Sequence, residues 1–262
     1  MAERTIQELF DLTGKTALIT GGSGYLGRAM ASALAEVGAQ VIIGSRDLAR
    51  AQETAKKLPG NGHRGVALDH MDSEKLRIGF EDALTVSGHI DVLINNGQDP
   101  ITHDWTDVTH EQFSRQLGNA SGYFELARCV RNQAVKSDHS ASIVMLGSMY
   151  GQVASYPDAY EGVSVASPAA YHALKGGIIH LTRHLAVYWA KDGVRVNCLS
   201  PGPFPNMAKA SETMVSRLCQ KSPMGRMGLP EELKGAVVFL ASDASSYMTG
   251  QNMTIDGGWT AW

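Results

Sequence analysis

Two side chains that could perform acid–base chemistry together, Tyr171 and Lys175, stand four residues apart. They open a helix-like run that continues over residues 176–191, and positions i and i+4 of a helix share one face. A nearby ammonium group favours the phenolate form of tyrosine and lowers its pKa from about 10, toward the range useful to a general acid or base near pH 7. Because the same spacing occurs in ordinary surface helices, the surrounding elements must decide whether this pair performs chemistry.

The composition of the chain limits the class of protein. Its 262 residues are 44% hydrophobic and carry a net charge of −3, which suits a globular protein with a full core. No apolar run reaches the length of a membrane helix, residues 1–11 lack a signal-peptide core, and no long basic run indicates nucleic-acid binding. The three cysteines are widely spaced and form no metal-ligand pattern, so we expect reduced thiols in a cytoplasmic, metal-free protein.

Strand-like and helix-like segments alternate along the whole chain. The predicted strands cover residues 15–20, 40–44, 65–68, 92–94, 142–146, 194–199 and 253–255. Asp47, either Asp72 or Ser73, and Thr109 stand where they could cap helices between these strands. Such alternation predicts a doubly wound parallel sheet, a Rossmann-type α/β fold, in one domain spanning residues 1–262. Ligands of this fold bind at the carboxyl ends of the strands.

A glycine-rich stretch joins the first predicted strand to the helix that follows it. Gly21, Gly24 and Gly27 fit the pattern Thr-Gly-x-x-Gly-x-x-Gly. At such a junction the backbone N–H groups and the helix dipole can receive a pyrophosphate, and glycines let the backbone approach it closely. We therefore expect a dinucleotide site here, rather than a tight turn with incidental glycines. The residues expected to contact the dinucleotide at this turn are Gly21, Ser23, Gly24, Tyr25 and Leu26.

The residues that follow the second strand bear on the choice between NAD and NADP. An acidic residue at this point binds the ribose 2′-OH of NAD, whereas an arginine accepts the 2′-phosphate of NADP. Ser45 stands near the position of the acid and Arg46 follows it. We expect NADP(H) to be preferred and NAD(H) to remain possible. In the competing interpretation Arg46 is solvated and pairs with Asp47, and NAD is accepted.

Together these motifs resemble the classical short-chain dehydrogenase/reductase family over nearly the whole chain. The resemblance implies an NAD(P)(H)-dependent oxidoreductase that interconverts a secondary alcohol and a carbonyl. The family's further cofactor contacts match Asp69 near the adenine, Asn95 and Gly97 beside the cofactor, and Pro201 and Gly202 at the nicotinamide. Its catalytic tetrad matches Asn119, Ser148, Tyr171 and Lys175, and Tyr171 and Lys175 are also expected to contact the cofactor.

The resemblance implies a role for each member of the tetrad. Tyr171 would exchange a proton with the substrate oxygen, and Ser148 would hydrogen-bond to the same oxygen. Lys175 would lower the pKa of Tyr171 and hold the nicotinamide ribose, while Asn119 would position a water that links Lys175 to solvent. A non-catalytic dinucleotide-binding protein, which is a further alternative, needs no such set of four residues.

Several positions depart from the family pattern. Tyr25 occupies the place of the middle glycine of the phosphate turn, Gln98 follows Gly97 where the family has Ala-Gly, and Asn206 replaces a threonine that often contacts the carboxamide. Ser148 and Tyr171 are also farther apart than in the family pattern. The additional residues lie within 152–170, between the catalytic positions, and must pass near the substrate.

This insertion and residues 203–226 are expected to form the two walls of the substrate pocket. The insertion carries two tyrosines and two acidic residues, which suit a hydroxylated substrate. It resembles sugar-acid members of the family such as gluconate 5-dehydrogenase, so we expect a sugar, sugar acid or polyol. In one alternative the insertion packs on a neighbouring subunit. In another the substrate is a 3-oxoacyl thioester on acyl carrier protein, for which only scattered basic residues, Arg128, Arg131 and Lys136, are available for docking.

The run over residues 176–191 is apolar on more than one face, which indicates burial on both sides. The C-terminal residues 259–262 are apolar for a free tail. Members of the family pair the corresponding helices across a two-fold axis. We therefore expect a homotetramer, with a dimer as the second possibility, and a small molecule as the other partner.

Overall fold

A computed structural model describes residues 3–262 of the chain. Within that range the strands form one parallel sheet in the order β3-β2-β1-β4-β5-β6-β7. The strands are β1 (Thr16–Thr20), β2 (Gln40–Ser45), β3 (Arg64–Ala67), β4 (Val92–Asn95), β5 (Ala141–Leu146), β6 (Val194–Pro201) and β7 (Asn252–Ile255). The chain moves outward from β1 to β3 and then returns to the other side of β1, so a crevice opens between the carboxyl ends of β1 and β4.

Nine α-helices connect or flank these strands within residues 3–262. They are α1 (Ile6–Phe10), α2 (Tyr25–Glu36), α3 (Leu48–Lys56), α4 (Ser73–Ser87), α5 (His110–Ser137), α6 (Pro157–Tyr160), α7 (Ala169–Trp189), α8 (Glu212–Lys221) and α9 (Lys234–Ala241). None of the helices in this described part of the chain is long and apolar enough to cross a membrane. The predicted doubly wound α/β fold is confirmed.

Side-chain caps fix the starts of α3, α4 and α5, as they do those of α1 and α8. Asp47 accepts a hydrogen bond from the backbone N–H of Arg50, and Asp72 caps α4 in the same way. Thr109 forms a capping box with Gln112 at the start of α5. The caps of α3, α4 and α5 were expected from the sequence, because an Asp or Thr side chain satisfies backbone N–H groups that have no partner inside the helix.

Helix α7 begins earlier than the apolar run over residues 176–191 indicates. Pro168 stands at its N-cap with an extended backbone, and the helix starts at Ala169. Tyr171 and Lys175 therefore lie in the first two turns of α7, at the end of the helix that faces the carboxyl ends of the strands. The structure thus directs the pair toward the crevice in which ligands of this fold bind.

The sheet separates two hydrophobic layers because successive side chains of a strand point to opposite faces. On β1, Ile19 packs in the layer beneath α2 and α9, whereas Leu18 packs in the layer beneath α4, α5 and α7. Nearly all these strand residues are fully buried. Helices on both faces hold the strand ends rigidly, and the site described below is built on those ends.

Helix α5 lies directly against the loop that follows β3. A Cβ atom at Gly122 would overlap the backbone carbonyl of His70. The close contact is possible only without a side chain at this position. It brings Asn119, one turn earlier on α5, within hydrogen-bond distance of the His70 ring.

We predict that Gly122→Ala lowers the free energy of unfolding by about 1–3 kcal/mol, because the added methyl group must push α5 away from the loop. Gly235→Ala is the matched control, since a Cβ atom at that exposed position on α9 would meet no atom within 4 Å. The control should be neutral or stabilise the protein by up to about 1 kcal/mol through helix propensity. Urea unfolding measures the free energy of unfolding of both variants. Equal changes in the two variants would contradict the close packing of α5 at Gly122.

Candidate active site

The turn between β1 and α2 forms a cradle of backbone atoms. Gly21 adopts a φ of 62° and donates a backbone hydrogen bond to the carbonyl of Gly44, on the neighbouring strand. A Cβ atom at Gly27 would overlap the carbonyl oxygen of Gly21, so α2 can begin directly against the turn only with glycine there. Gly24 is the N-cap of α2 and makes no side-chain cap. The first N–H groups of α2 therefore have no partner inside the helix, as a phosphate site requires.

A polar cavity of about 250 Å³ lies beside this cradle. Six residues expected to contact the cofactor line it: Gly21, Ser23, Gly24, Ser45, Arg46 and Gly97. Seven further lining residues were not predicted as cofactor contacts: Thr20, Gly44, Arg50, Leu68, His70, Asn96 and Gln98. His70 directly follows Asp69 at the end of β3, and its position next to a predicted adenine contact was the signal that could have identified it. The side chains and the backbone cradle together fit a dinucleotide.

Two of the predicted cofactor residues, Asn95 and Asp69, are not part of the cavity lining. Asn95 is fully buried and donates to the backbone carbonyl of Tyr123. The neighbouring Asn96 donates instead to the carbonyl of Gly21, at 3.1 Å, and so holds the phosphate turn. Asp69 uses its carboxylate to accept from the backbone N–H of Met71. Successive side chains of a strand point to opposite faces, and at the end of β4 the side chain that lines the cavity is that of Asn96 rather than that of Asn95.

The predicted residues Tyr25 and Leu26 form the first positions of α2 and are not part of the cavity lining. The side chain of Leu26 packs against the hydrophobic layer beneath α2, and that of Tyr25 is partly exposed. Any contact of these two residues with a phosphate would therefore use their backbone N–H groups. Pro201 ends β6, and the N–H of the following Gly202 bonds to the carbonyl of Ile255 at the end of β7.

Arg46 has a partner that the sequence analysis did not identify. Its Nη1 lies 3.0 Å from Oδ1 of Asp99, in the loop after β4. The expected alternative, a pair with Asp47, is not formed, because the Asp47 carboxylate caps α3. Arg46 still lines the cavity, so its guanidinium lies between the cavity and an acidic side chain.

Ser148 and the start of α7 are brought together by a close backbone contact. Ser148 follows β5 and caps the 3₁₀ turn Met149–Gly151, accepting a hydrogen bond from the N–H of Tyr150 at 3.1 Å. A Cβ atom at Gly151 would lie 2.6 Å from the backbone carbonyl carbon of Lys175, so the turn rests directly on α7. Ser148, Tyr171 and Lys175 thus converge at the carboxyl end of β5.

Lys175 is a buried cation with a fixed position. Its side chain crosses to β5, where Nζ donates to the carbonyl of Leu146 at 2.7 Å. The same nitrogen lies 5.5 Å from the centroid of the Tyr171 ring. Burial lowers the pKa of the Lys175 ammonium to about 8, because a charged group loses hydration in the interior. The group is therefore mostly charged at neutral pH.

The pKa of the Tyr171 phenol is raised above its ordinary value, which corrects the expectation that Lys175 lowers it. Burial is the largest cause, and the Ser148 hydroxyl acts in the opposite direction as a hydrogen-bond partner. The ammonium of Lys175 is directed to the Leu146 carbonyl and lies over the face of the ring. Burial therefore outweighs the stabilisation of the phenolate that the spacing of the two residues suggests.

Asn119 is buried, and its side chain is fully used in hydrogen bonds. Its Oδ1 accepts from the N–H of Asp99 at 2.7 Å and lies 2.9 Å from Nε2 of His70. Its Nδ2 donates to the carbonyls of Asp99 and Gln116. The side chain thus ties α5 to the loops after β3 and β4. The water expected between Asn119 and Lys175 would have to use a backbone atom of Asn119.

The insertion and the second expected wall are joined by polar contacts. Lys221 on α8 forms an ion pair of 2.6 Å with Asp158 on α6. Arg217, one turn earlier on α8, donates to the carbonyls of Asp158 and Glu161 at 3.1 and 2.6 Å. The two segments therefore form one continuous cover, rather than two independent loops.

Aromatic side chains of the insertion pack together with Tyr171. Tyr156, Tyr160 and Tyr171 lie against one buried cluster that contains Tyr150 and Trp259. The hydroxyl of Tyr160 is 2.7 Å from that of Tyr150, and the Tyr150 ring stacks on His172, the residue after Tyr171, with ring centroids 4.8 Å apart. The tyrosines of the insertion therefore share one aromatic cluster with the phenol that the motif identifies as the acid–base group.

Comparisons with known proteins agree with this geometry. A family model described as enoyl-(acyl carrier protein) reductase matches residues 23–260. The chain is 32% identical to 2-dehydro-3-deoxy-D-gluconate 5-dehydrogenase of Dickeya dadantii, over 98% of this chain and 99% of the relative. It is also 32% identical to galactitol 2-dehydrogenase (L-tagatose-forming) of Cereibacter sphaeroides, over 97% of this chain and 98% of the relative.

A solved structure gives the same result for the fold. The gluconate 5-dehydrogenase of Burkholderia cenocepacia, in complex with NADP and tartrate, superposes with a TM-score of 0.88. The match covers 98% of this chain and 100% of the other, at 28% identity. The resemblance drawn from the motifs is confirmed, and with it the expected reaction class. The chain belongs to the short-chain dehydrogenase/reductase family and is an NAD(P)(H)-dependent oxidoreductase that acts on alcohols or the corresponding carbonyls.

Proposed function

We propose that the protein interconverts a secondary alcohol and a carbonyl on a sugar, sugar acid or polyol. The observation that carries this proposal is the hydroxyl pair of Tyr150 and Tyr160 beside Tyr171. A substrate with several hydroxyl groups needs hydrogen-bond partners next to the reacting carbon, since unpaired polar groups are costly in a closed pocket. The named activities of the relatives, on gluconate-type sugar acids and galactitol, support the same class.

Tyr171, Ser148 and Lys175 would perform the proton chemistry. When bound, the nicotinamide supplies or accepts the hydride. Because burial keeps Tyr171 protonated at neutral pH, its phenol can donate a proton to a carbonyl oxygen while the Ser148 hydroxyl bonds to the same oxygen. The charged Lys175 would then stabilise the phenolate left behind. The attraction between the two charges is stronger in a buried site than in water.

The glycine cradle and the polar cavity would hold the dinucleotide. Gly21 and Gly24 would receive the pyrophosphate, and Asp69 and His70 would lie at the adenine. Pro201 and Gly202, at the carboxyl ends of the neighbouring strands, would flank the nicotinamide. We propose that NADP(H) is preferred and NAD(H) is accepted, which is supported by Arg46 in the cavity lining.

The second candidate substrate is an acyl thioester. It is favoured by the description of the matching family model as enoyl-(acyl carrier protein) reductase. The named activities of the relatives, on gluconate-type sugar acids and galactitol, argue against it. The substrate test below therefore includes thioesters.

We also propose a homotetramer in the cytoplasm. Val187 and Tyr188 on α7 and Val135 on α5 are large apolar or aromatic residues that are 78%, 62% and 47% exposed. Exposed residues of this kind on neighbouring helices suit an interface between subunits. The three cysteines form no disulfide in the described chain, which fits a reducing compartment.

We predict turnover of a sugar acid or polyol when sugars, sugar acids, polyols, small ketones and acyl thioesters are each tried with NAD(H) and NADP(H). The change in nicotinamide absorbance follows the reaction.

Tyr171→Phe should lower kcat by at least about 100-fold while retaining cofactor binding, since the proton donor is lost. Tyr188→Phe, an exposed tyrosine on the same helix, is the control. Turnover of thioesters alone would overturn the proposed substrate class, and near-normal kcat in Tyr171→Phe would overturn the acid–base role.

We predict that Tyr160→Phe raises KM for the hydroxylated substrate about tenfold with a smaller change in kcat, because one hydrogen bond to a substrate hydroxyl is lost. For a small ketone without further hydroxyls, the kcat and KM of Tyr160→Phe should equal those of the wild type. Tyr156→Phe is the control within the same insertion, as its ring packs edge-on against Trp259. Equal losses on both kinds of substrate would indicate that Tyr160 serves packing only.

We predict that Arg46→Ala raises the Kd for NADPH about tenfold or more and changes the Kd for NADH less than twofold. A charge-assisted hydrogen bond to the 2′-phosphate would be lost, and NADH has no such phosphate. Lys56→Ala, on the exposed side of α3, removes the same charge away from the cavity. Equal weakening of both nucleotides by Arg46→Ala would be inconsistent with a 2′-phosphate site.

A further inference from the structure

A single carboxylate holds two arginines at the edge of the dinucleotide cavity. Oδ1 of Asp99 lies 3.0 Å from Nη1 of Arg46, and Oδ2 lies 2.7 Å from Nη2 of Arg115 on α5. The carboxylate is 11% exposed, whereas the Arg46 and Arg115 side chains are 57% and 65% exposed. The acid is thus the fixed centre of the group, and the two cations reach it from the surface.

The backbone of Asp99 is held as firmly as its side chain. The buried side chain of Asn119 accepts from the N–H of Asp99 and donates to its carbonyl. Burial tends to raise the pKa of the Asp99 carboxyl, but the two arginines outweigh this effect and the net pKa is lowered. Asp99 is therefore ionised at neutral pH, and its backbone is tied to α5 through the Asn119 side chain.

Arg46 is the only member of this group that also lines the cavity. It can turn toward a ligand there, because its long side chain is mostly exposed and bonds to Asp99 through one nitrogen. Arg115 bonds to the other carboxylate oxygen through both Nε and Nη2. When Arg46 leaves, Asp99 therefore keeps a cationic partner, and no unpaired charge is left in a largely buried position.

We propose that Asp99 and Arg115 set the preference between NADP(H) and NAD(H). Asp99 competes with the 2′-phosphate of NADP(H) for Arg46 and repels that phosphate. Arg115 limits this competition, because it stays paired with Asp99 when Arg46 turns to the phosphate. NAD(H) has no 2′-phosphate, so its affinity does not depend on whether Arg46 stays paired with Asp99. This inference rests on the proposed dinucleotide site and on Arg46 as the phosphate ligand.

The two residues should have opposite effects on NADPH. Asp99→Asn removes the competing charge and should lower the Kd for NADPH about three- to tenfold, the range for a partly exposed ion pair. Arg115→Gln leaves Arg46 as the remaining cation on Asp99 and should raise the Kd for NADPH by a similar factor. Arg115→Lys keeps the charge and should restore most of the affinity. The Kd for NADH should change less than twofold in all three variants.

The experiment is a fluorescence titration of the full-length protein with NADPH and with NADH at low and high salt. Glu111→Gln and Lys136→Gln, at exposed positions on α5, change the net charge in the same way without contact with Asp99 and should leave both nucleotides unaffected. The effects on NADPH should shrink at high salt, because exposed charges are screened.

Two results would overturn this proposal. Weaker NADPH binding by Asp99→Asn would mean that the acid orients Arg46 for the phosphate rather than competing with it. Unchanged or tighter NADPH binding by Arg115→Gln would mean that Arg115 has no part in releasing Arg46. A wild-type protein that binds neither nucleotide would instead overturn the proposed dinucleotide site itself, which keeps the two failures distinct.

Discussion

The hydrogen bond from Lys175 to the carbonyl of Leu146 is the interaction on which the reaction centre depends. A buried ammonium without an acceptor would be costly, so the start of α7 must lie against the end of β5. Gly151 permits that approach, because the turn after Ser148 can rest on the backbone of α7. One polar contact and one absent side chain thus set the relative positions of Ser148 and Tyr171. The lowered pKa of Lys175 is the consequence of placing this cation in the interior.

A second polar centre, Asn119, organises the dinucleotide side. Its side chain connects α5 with the Asp99 backbone and with His70, so the loops after β3 and β4 share one support. The family motif identified Asn119 through a role in proton relay, yet in this chain its side chain serves the cavity wall. Through Asp99 it also fixes the acid that holds Arg46. The reaction centre and the cavity for the cofactor are therefore linked by helix α5.

Local features were predictable from the sequence, and contacts between distant segments were not. The strands, the caps at Asp47 and Thr109 and the glycine turn follow from patterns a few residues long. The Arg46–Asp99 pair joins residues 53 positions apart, and the Lys221–Asp158 pair joins residues 63 positions apart. No spacing rule specifies such partners, because the folded arrangement of whole elements brings them together. The raised pKa of Tyr171 was missed for the same reason, since burial depends on that arrangement.

The two halves of the candidate site are held by different kinds of contact. The phosphate turn uses backbone groups and glycines whose Cβ atoms would collide with Gly21 or its neighbours, so few substitutions fit there. The proposed substrate side is a cover formed by α6 and α8, joined by one ion pair and by hydrogen bonds from Arg217 to backbone carbonyls. None of these contacts of the cover involves Lys175 or Ser148, which are held at the end of β5. If the cover binds the substrate as we propose, substitutions in it would alter substrate recognition while Lys175 and Ser148 keep their positions.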